Sequence, residues 1–255
     1  MPRPQSLSIV IPVLNEEKEI ARILTAATAL LEERGGEWEI IVVDNASTDQ
    51  TAACAEPFVD GERVRLLHNG ANRGKGFSIR RGMLEARCDL RLMCDADSVA
   101  SLPSLSRMEE AAQKVDVVVG SRWSKGARVS RQQSLPRRFV GLGFIALTHV
   151  MIGRLPRDVF CGFKLWRGEA AEAVFGRVKL DGWVFDAEAL AMASRMGYTI
   201  EETGIEWENR PDSRLSIRAV LLPVVRELIE ARRNVRRTPK VHQLAVEKVH
   251  ASTQF

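Results

Sequence analysis

Apolar runs and helical patterns alternate along the first half of this chain, and this alternation limits the folds that are open to it. Five runs are predicted to be strands, and each of the first four is followed by a segment with helical spacing. Such a β–α repeat is typical of a doubly wound α/β fold with a mostly parallel sheet. The predicted strands are Leu7 to Leu14, Glu39 to Val43, Val64 to His68, Asp89 to Cys94 and Val115 to Val119.

Helical segments separate these strands, and the pattern loosens after Gly120. Glu16 to Arg34 has apolar residues at helical spacing and stops at a Gly-Gly pair. Ser121 to Arg138 is polar, basic and rich in turn formers, which predicts a loop, and Tyr198 to Glu208 alternates like one further strand. The other predicted helices are Thr48 to Ala55, Gly74 to Arg87, Leu105 to Lys114, Ala170 to Phe175 and Asp186 to Met196.

Composition is that of a globular protein with reduced cysteines. The 255 residues are enough for one large domain, and we predict one domain over 1–238 with C-terminal helical elaborations, followed by a disordered tail over 239–255. The net charge of +4 fits phosphate ligands or an anionic membrane surface and does not imply nucleic acid. The 4 cysteines are too far apart to suggest zinc or a disulfide framework. With neither a signal peptide nor a run of ~20 apolar residues, a cytoplasmic protein is expected.

Two carboxylates follow the fourth predicted strand. Asp95 and Asp97 are two residues apart, so they lie on the same side of an extended chain and can converge on one cation. Carboxylate oxygens suit Mg²⁺ or Mn²⁺. At the carboxyl end of a parallel strand, such an ion implies a phosphorylated ligand. Taken alone, the triplet is better explained as a solvated turn after a strand, and the rest of the chain is what favours the metal site.

Polar residues also follow the first two predicted strands. Asn15, Asp44 and Ser47 lie at ends that cluster, in a doubly wound sheet, beside the end that carries Asp95. Their joint placement favours a nucleotide site. The alternative is that Asn15 and Ser47 only cap helices and that Asp44 only forms a turn.

A glycine-rich loop precedes the third predicted helix. Asn72, Lys75 and the glycines beside them would offer a phosphate a close backbone approach, a positive charge and helix N–H groups. The loop does not match the GxxxxGK[ST] pattern of a P-loop. Phosphate contact and simple turn formation are therefore equally compatible with it.

Two segments are predicted to be amphipathic or apolar helices with two possible environments. Residues 216–237 combine apolar residues at helical spacing with many arginines, so this helix lies either on an anionic bilayer or with its apolar stripe on the core. Phe139 to Ile152 is the longest apolar stretch, and it is either lipid-facing or a core helix.

With these features in place, the chain resembles the family 2 glycosyltransferases, which have the GT-A nucleotide-sugar-binding fold. A second set of motifs is similar to the dolichyl-phosphate β-glucosyltransferase and polyprenyl-phosphate glycosyltransferase group. The motifs of the first set are Ile11 to Glu17, Val42 to Thr51, Asn72 to Gly76, Asp95 to Asp97 and Gly120 to Arg122. Those of the second set are Asp158 to Leu165, Trp183 to Leu190, and Trp207-Glu208 through Arg214.

The resemblance implies roles for the matched positions. Asp95, Ala96 and Asp97 would hold ribose, metal and diphosphate. Cations at Arg122, Lys164 and Arg214 would offset the charge of an acceptor phosphate or of the departing diphosphate. The nucleotide-sugar pocket would also include Pro12, Leu14, Asn15, Glu16, Val43, Asp44, Asn45, Asn72 and Lys75. Asn45, Leu14, Phe160 and Val99 depart from residues that are frequent in the family.

The expected function is an inverting, metal-dependent transfer of a hexose, with UDP-glucose favoured as donor, to a polyprenyl or dolichyl phosphate at the cytoplasmic face of a membrane. A phosphate acceptor is already ionised and needs no strong base. A sugar hydroxyl would need one, and Asp186 and Glu188 are then the candidates, although both also fit the start of a helix. The alternatives are a soluble glycosyltransferase that acts on a sugar or natural-product hydroxyl and a non-catalytic nucleotide-sugar-binding module.

Overall fold

A computed structural model describes residues 5–130, 135–208 and 217–240. The strands are β1 Leu7–Val13, β2 Trp38–Asp44, β3 Val64–His68, β4 Leu90–Cys94, β5 Val117–Ser121, β6 Arg128–Val129, β7 Phe163–Arg167, β8 Ile200–Gly204 and β9 Glu206–Trp207. Seven of them form one sheet in the order β3-β2-β1-β4-β7-β5-β8, and β6 pairs with β9 in a second, two-stranded sheet. All five predicted strands are present.

Eight α-helices accompany the strands in the described ranges. They are α1 Ile20–Arg34, α2 Thr51–Ala55, α3 Lys75–Glu85, α4 Leu105–Ala112, α5 Leu135–Ile152, α6 Gly168–Phe175, α7 Phe185–Arg195 and α8 Ile217–Arg237. Short 3₁₀ turns cover Glu56–Phe58 and Ser98–Ser104. Among the described residues, no helix combines the length and apolar content needed to cross a bilayer.

The predicted mostly parallel sheet is confirmed, with one reversed strand that the sequence pattern did not indicate. β1 pairs in parallel with β2 and β4, and β5 pairs in parallel with β8. β7 lies between β4 and β5 and is antiparallel to both. The chain therefore returns to the middle of the sheet after α5, and this return carries Lys164 into the sheet opposite Met93 and Val119.

Alternating side chains of the central strands fill two cores, one on each face of the sheet. Ile9 and Ile11 face the core built with α1 and α4, whereas Val10 faces the core built with α3, α6 and α7. The side chains alternate in this way because successive residues of a strand point to opposite faces of the sheet. Because both faces are covered, β1 and β2 are buried along almost their whole length.

Two predicted segments differ from the observed structure in more than their end residues. The predicted loop over Ser121 to Arg138 is interrupted by the short strand β6 and ends early, because α5 already begins at Leu135. The single predicted strand over Tyr198 to Glu208 is broken between β8 and β9. At Gly204 an added Cβ would lie 2.5 Å from the Lys125 carbonyl oxygen. The 124–127 turn therefore packs directly against the backbone at the point where β8 ends, just before the chain enters the second sheet.

The alternative in which residues 216–237 pack on the core is confirmed for the described part of α8. Val224, Leu228 and Ala231 are buried in the core, with at most 4% exposure. The arginines of the same helix from Arg226 onward are exposed, and so is Ile229. The predicted tail over 239–255 lies outside the described residues, apart from Pro239 and Lys240.

The carboxylate of Glu39 stabilises the joint between β1, β2 and the turn that precedes β4. It accepts hydrogen bonds from Ser8 Oγ at 2.7 Å, the Arg87 N–H at 2.7 Å and Arg65 at 2.8 Å. Burial alone would raise the pKa of Glu39, but these three donors outweigh burial and lower it. Glu39 therefore contributes stability that is present above its unfolded pKa and is lost as the pH falls through its folded pKa.

Glu39→Gln is accordingly expected to lower the free energy of unfolding by about 1–3 kcal/mol at neutral pH, because an uncharged amide is a weaker acceptor and brings an NH₂ group toward donors. The difference from wild type should shrink as the pH is lowered below about 4.5, where the unfolded glutamate is protonated. Urea unfolding at several pH values measures this. Glu32→Gln, at an exposed ion pair with Arg63, is the control and should change stability by less than about 0.5 kcal/mol. A pH-independent loss at Glu39 would contradict the charge argument.

Candidate active site

The carboxyl ends of β1, β2 and β4 lie side by side and carry the predicted polar residues. β1 lies between β2 and β4 in the sheet, and Val13 is directly opposite Asp44. Asn15, Asp44 and Asp95 therefore follow three neighbouring strands along one edge. The crevice predicted for a doubly wound sheet is located at this edge.

The loops after β1 and β2 are hydrogen-bonded to each other. Asn15 has a φ of 56°, donates its N–H to Ser47 Oγ at 3.0 Å and accepts the Thr48 N–H at 2.8 Å. The alternative of simple helix capping is wrong for both Asn15 and Ser47, because α1 and α2 have Glu19 and Gln50 at their N-caps. The two loops instead form one rigid wall, with Leu14 39% exposed beside it.

Asn45 connects this wall to the glycine-rich loop. Its Nδ2 donates to Asn72 Oδ1 at 2.8 Å, and its Oδ1 accepts from Asn69 Nδ2 at 3.1 Å and from the Arg73 N–H at 3.0 Å. An aspartate here would have no N–H to donate to Asn72. Asparagine therefore fits this position, because its amide can donate to Asn72. The neighbouring Asp44 is buried, and its Oδ2 lies 3.3 Å from His68 Nδ1.

The glycine-rich loop presents a side chain to the crevice rather than backbone N–H groups. The N–H of Gly76 donates to the Asp181 carbonyl oxygen at 2.8 Å. At Gly74, which has a φ of 94°, an added Cβ would lie 2.2 Å from the same oxygen. The expected free N–H groups at the start of α3 are thus partly used by the chain itself. Lys75 remains, and its Nζ points toward the end of β4.

Lys75 and Asp95 form an ion pair in the crevice. Lys75 Nζ lies 2.7 Å from Asp95 Oδ1 and 2.8 Å from Oδ2. Burial would lower the pKa of Lys75, but the carboxylates of Asp95, Asp186 and Asp97 outweigh burial and raise it. Lys75 is therefore a fixed cation, held among three carboxylates at the place where the sequence predicted a diphosphate.

A second ion pair, between Lys164 and Asp186, lies deeper in the same region. Lys164 Nζ is 2.6 Å from Asp186 Oδ1 and also donates to the Cys161 carbonyl oxygen. Both side chains are almost fully buried, with 1% and 5% exposure. Burial raises the pKa of Asp186, and the ammonium groups of Lys164 and Lys75 oppose this rise. The two pairs form one network of alternating charges, in which Asp186 is already engaged by a cation.

Glu188, the other predicted base candidate, does not join this network. Its carboxylate accepts the N–H groups of Lys179 and Leu180 at 3.0 and 2.9 Å, and it accepts from Asn234 Nδ2 of α8 at 2.7 Å. Burial raises its pKa against these donors. Because residues two apart on a helix point in nearly opposite directions, Asp186 and Glu188 serve different sites. The contacts of Glu188 hold α8 to the start of α7.

The predicted phosphate-binding arginines have different settings. Arg122 is 21% exposed, and its Nε and Nη2 lie 2.8 and 2.6 Å from the two oxygens of the buried Asp158. Its guanidinium carbon, Cζ, lies 5.2 Å from the centre of the Trp207 ring. Burial would lower the pKa of Arg122, and Asp158 raises it instead. Arg122 thus meets a ligand with its charge largely compensated, whereas Arg214 lies outside the described residues.

Sequence reasoning did not single out Gly162 or Trp183, although both lie within quoted motifs. At Gly162 an added Cβ would lie 1.9 Å from Asp95 Oδ2, and the Gly162 carbonyl oxygen accepts the Asp95 N–H at 3.1 Å. Trp183 is 49% exposed, with its ring 5.6 Å from Lys75 Nζ. A glycine before a buried strand was the only local signal of this close approach.

Comparison with known proteins places this geometry in a family. The family model described as "Glycosyl transferase family 2" matches residues 8–175, which contain the carboxyl ends of β1, β2 and β4. The chain belongs to glycosyl transferase family 2. This glycosyltransferase is 31% identical over 243 residues to the dolichyl-phosphate beta-glucosyltransferase of Saccharomyces cerevisiae, covering 88% of this chain and 73% of that one. It is 31% identical to the enzyme of the same name from Homo sapiens, covering 83% and 70%.

Solved structures agree on the fold. Glucosyl-3-phosphoglycerate synthase from Mycobacterium tuberculosis, crystallised with Mn²⁺, UDP-glucose and phosphoglyceric acid, superposes with a TM-score of 0.64. It is 18% identical to this glycosyltransferase, and the match covers 92% of this chain and 81% of that one. The expected GT-A fold is confirmed, including its mostly parallel sheet flanked by helices. At this level of identity, the likeness concerns the fold alone.

The contact of Gly162 with Asp95 yields a prediction for the glycosyltransferase. Gly162→Ala would place a methyl group where the Asp95 carboxylate lies, so Asp95 must rotate away from Lys75. We expect kcat to fall about 100-fold or more, as for misplacement of a charged group by about 1 Å. The melting temperature should change little, because Asp95 is partly exposed and can move. Initial rates and a thermal melt measure both effects.

Gly70→Ala is the matched control, since an added Cβ there meets nothing within 4 Å. It should retain wild-type rates. If Gly162→Ala were as active as the control, the Asp95 position would not matter for turnover.

Proposed function

We propose that this glycosyltransferase moves glucose from UDP-glucose to a polyprenyl or dolichyl phosphate, with inversion, at the cytoplasmic face of a membrane. The observation that carries the proposal is the charge network of Lys75, Asp95, Lys164 and Asp186. Two cations lie beside the predicted diphosphate and acceptor positions, and the best-placed carboxylate, Asp186, is bound to a lysine. This arrangement suits an acceptor that arrives already ionised. The names of the relatives support glucose and dolichyl phosphate as the transferred sugar and acceptor.

A divalent cation, Mg²⁺ or Mn²⁺, fits the end of β4. Asp95 Oδ1 is buried and makes no well-directed hydrogen bond, although Lys75 Nζ lies 2.7 Å away. In the described ranges no group of three or more His, Cys, Asp or Glu side chains is placed to hold a metal, so Asp95 and Asp97 would be two protein ligands and the diphosphate and water would supply others. Such an ion, when bound, neutralises charge that develops on the departing diphosphate.

The chain's own residues would position both reactants. Asn15, Asp44, Asn45 and Asn72 form the wall and loop against which the nucleoside binds, and Lys75 pairs with the diphosphate. An oxygen of the acceptor phosphate attacks the anomeric carbon from the side opposite the diphosphate. The new carbon–oxygen bond forms as the old one breaks, and the electron pair leaves with UDP. No proton has to be removed from the acceptor.

Lys164, Arg122 and Arg214 are proposed to offset the charge of the acceptor phosphate. Two anions must meet within a few ångströms for the reaction, and their repulsion is strong in a partly dry site. Because Lys164 is already paired with Asp186, we expect it to reduce the repulsion between the two anions rather than to bind the acceptor phosphate tightly. Arg122 binds the two carboxylate oxygens of Asp158 through Nε and Nη2. Its third guanidinium nitrogen, Nη1, is not part of this ion pair.

The experiment follows the sugar into lipid. Purified protein, Mg²⁺ and radiolabelled UDP-glucose are incubated with and without a polyprenyl phosphate, and label is measured in the organic phase. Lipid-dependent label is the expected result. Label that stays aqueous while UDP still binds would exclude the lipid acceptor and favour a hydroxyl acceptor, with Asp186 as the base to test. Binding without turnover on any acceptor would favour a non-catalytic module.

A further inference from the structure

One face of α5 is apolar and exposed. Leu142, Ala146 and Val150 follow one another at intervals of four residues, so they form a single ridge along the helix. Leu142 is 42% exposed and Val150 is 81% exposed. The opposite face, which includes Phe144, packs against the core. Residues 139–153 contain no Asp, Glu, Lys or Arg, so the ridge faces solvent without any charged side chain to hydrate it.

Basic residues surround this ridge. Arg154 and Arg157 follow α5 and are exposed, and two further arginines precede the apolar stretch in the sequence. α8 packs beside α5 and adds exposed arginines around Ile229, which is itself 42% exposed. These arginines of α8 are Arg226, Arg232, Arg233, Arg236 and Arg237. Glu230 is the one acidic residue among the exposed, described side chains of this helix.

The same helices are connected to the candidate active site. Glu227 of α8 accepts the Val184 N–H at 3.0 Å and lies so close to Gly182 that an added Cβ would be 1.9 Å from its carboxylate. Trp183, between those two residues, has its exposed ring 5.6 Å from Lys75 Nζ. Through Gly182, Trp183 and Val184, α8 is therefore connected to the Lys75–Asp95 pair.

We propose that the α5 ridge and the arginines of α8 form a docking surface for an anionic lipid bilayer. The proposal rests on the proposed function, since it supplies the surface from which a lipid-linked phosphate would reach the candidate active site. The ridge inserts into the boundary between headgroups and acyl chains, and the arginines pair with anionic headgroups. A bilayer is favoured over a protein partner because apolar and basic groups are combined on two neighbouring helices with little acidic charge among them.

The test measures partition onto vesicles in the absence of donor and acceptor. Full-length protein is mixed with vesicles of three parts phosphatidylcholine and one part phosphatidylglycerol, then with pure phosphatidylcholine, and the bound fraction is measured by flotation. Wild-type protein should bind the anionic vesicles at least about 10-fold more strongly, and 0.5 M salt should remove most of this difference. Equal partition to both vesicles, or none to either, would overturn the proposal without any mutation.

Variants then separate the two parts of the surface. Leu142→Glu with Val150→Glu, and Arg232→Glu with Arg236→Glu, should each lower the partition coefficient about 10-fold or more. Val59→Glu and Arg22→Glu are the matched controls, because both residues are exposed on other elements, and they should partition as wild type does. If either double variant partitions as wild type does, the ridge or the arginines that it changes would not belong to the docking surface. If the protein instead forms a stable dimer through α5 and does not bind vesicles, the bilayer would be the wrong occupant.

Turnover on a short-chain, water-soluble prenyl phosphate separates this proposal from the proposed function. This acceptor needs no bilayer, so all docking variants should use it at the wild-type rate. Turnover without vesicle binding would overturn only the docking surface. Vesicle binding without turnover on any prenyl phosphate would support the surface and overturn the proposed acceptor.

Discussion

Asparagine in place of Asp97 is expected to lower kcat about 1,000-fold or more. Asp97 follows β4 by three residues and is only partly buried at the start of a short 3₁₀ turn, where its side chain makes no cap hydrogen bond. Under the proposed function it is one of two anionic ligands of the metal. Loss of several kcal/mol of charge stabilisation corresponds to this factor, at about 1.4 kcal/mol for each power of ten.

The fold should survive the same change. Because Asp97 is not deeply buried, the melting temperature is expected to stay within about 2 °C of wild type. Binding of Mn²⁺ alone, followed by its electron spin resonance signal, should weaken in parallel with kcat. Asp60→Asn is the control for turnover and Mn²⁺ binding, since Asp60 lies in the turn before β3, at the edge of the parallel sheet opposite the carboxyl ends. Full activity of Asp97→Asn with added Mg²⁺ or Mn²⁺ would remove the metal assignment.

Lys164→Met is expected to cause the largest loss of stability. The change leaves the Asp186 carboxylate buried at 5% exposure without the ammonium group that lies 2.6 Å away. Removal of one partner of a buried ion pair costs about 3–5 kcal/mol. Urea unfolding at neutral pH measures the loss, and the fluorescence of the buried Trp166 on the same strand reports the transition.

A double variant tests whether the charge is the cause. Lys164→Met with Asp186→Leu removes both charges and should recover most of the stability, because an apolar pair of similar volume can replace a buried ion pair. Arg22→Met, at an exposed pair with Glu19, is the control and should cost less than about 1 kcal/mol. A double variant that is less stable than Lys164→Met would contradict this account.

The alternation of strands and helices was predictable because it depends on local patterns. The runs that became β1, β2, β4 and β5 are buried on both faces, whereas β3 is a partly exposed edge strand. Each run is bounded by turn-forming residues. β7 was not predicted because Phe163–Arg167 places a lysine inside a short run that follows a Cys-Gly pair. Only its two antiparallel neighbours in the sheet, which are distant in sequence, make this segment a strand.

The strand-end residues were predictable for the same reason, whereas their partners were not. Asp44 ends β2, Asp95 follows β4 directly and Asn15 follows β1 after one residue, so topology alone brings them to one edge. The ion pair of Lys164 with Asp186 depends on the reversed strand and on the position of α7. The separation of Asp186 from Glu188 was within reach of sequence reasoning, since helical residues two apart cannot share a face.

The position of β7 has a consequence for the order in which the protein can assemble. Apart from β1, which is made first, every strand of the main sheet pairs with a strand that precedes it in the chain, except β5, whose neighbours β7 and β8 both follow it. The gap between β4 and β5 is filled only by β7. During synthesis, at roughly 5–20 residues per second, the open edges of β4 and β5 must wait while α5 is made. The end of β4 that carries Asp95 is thus synthesised before Lys164. We expect β1 to β4, which carry the proposed nucleotide-sugar site, to pair early, and β7, which carries Lys164, to join the sheet later.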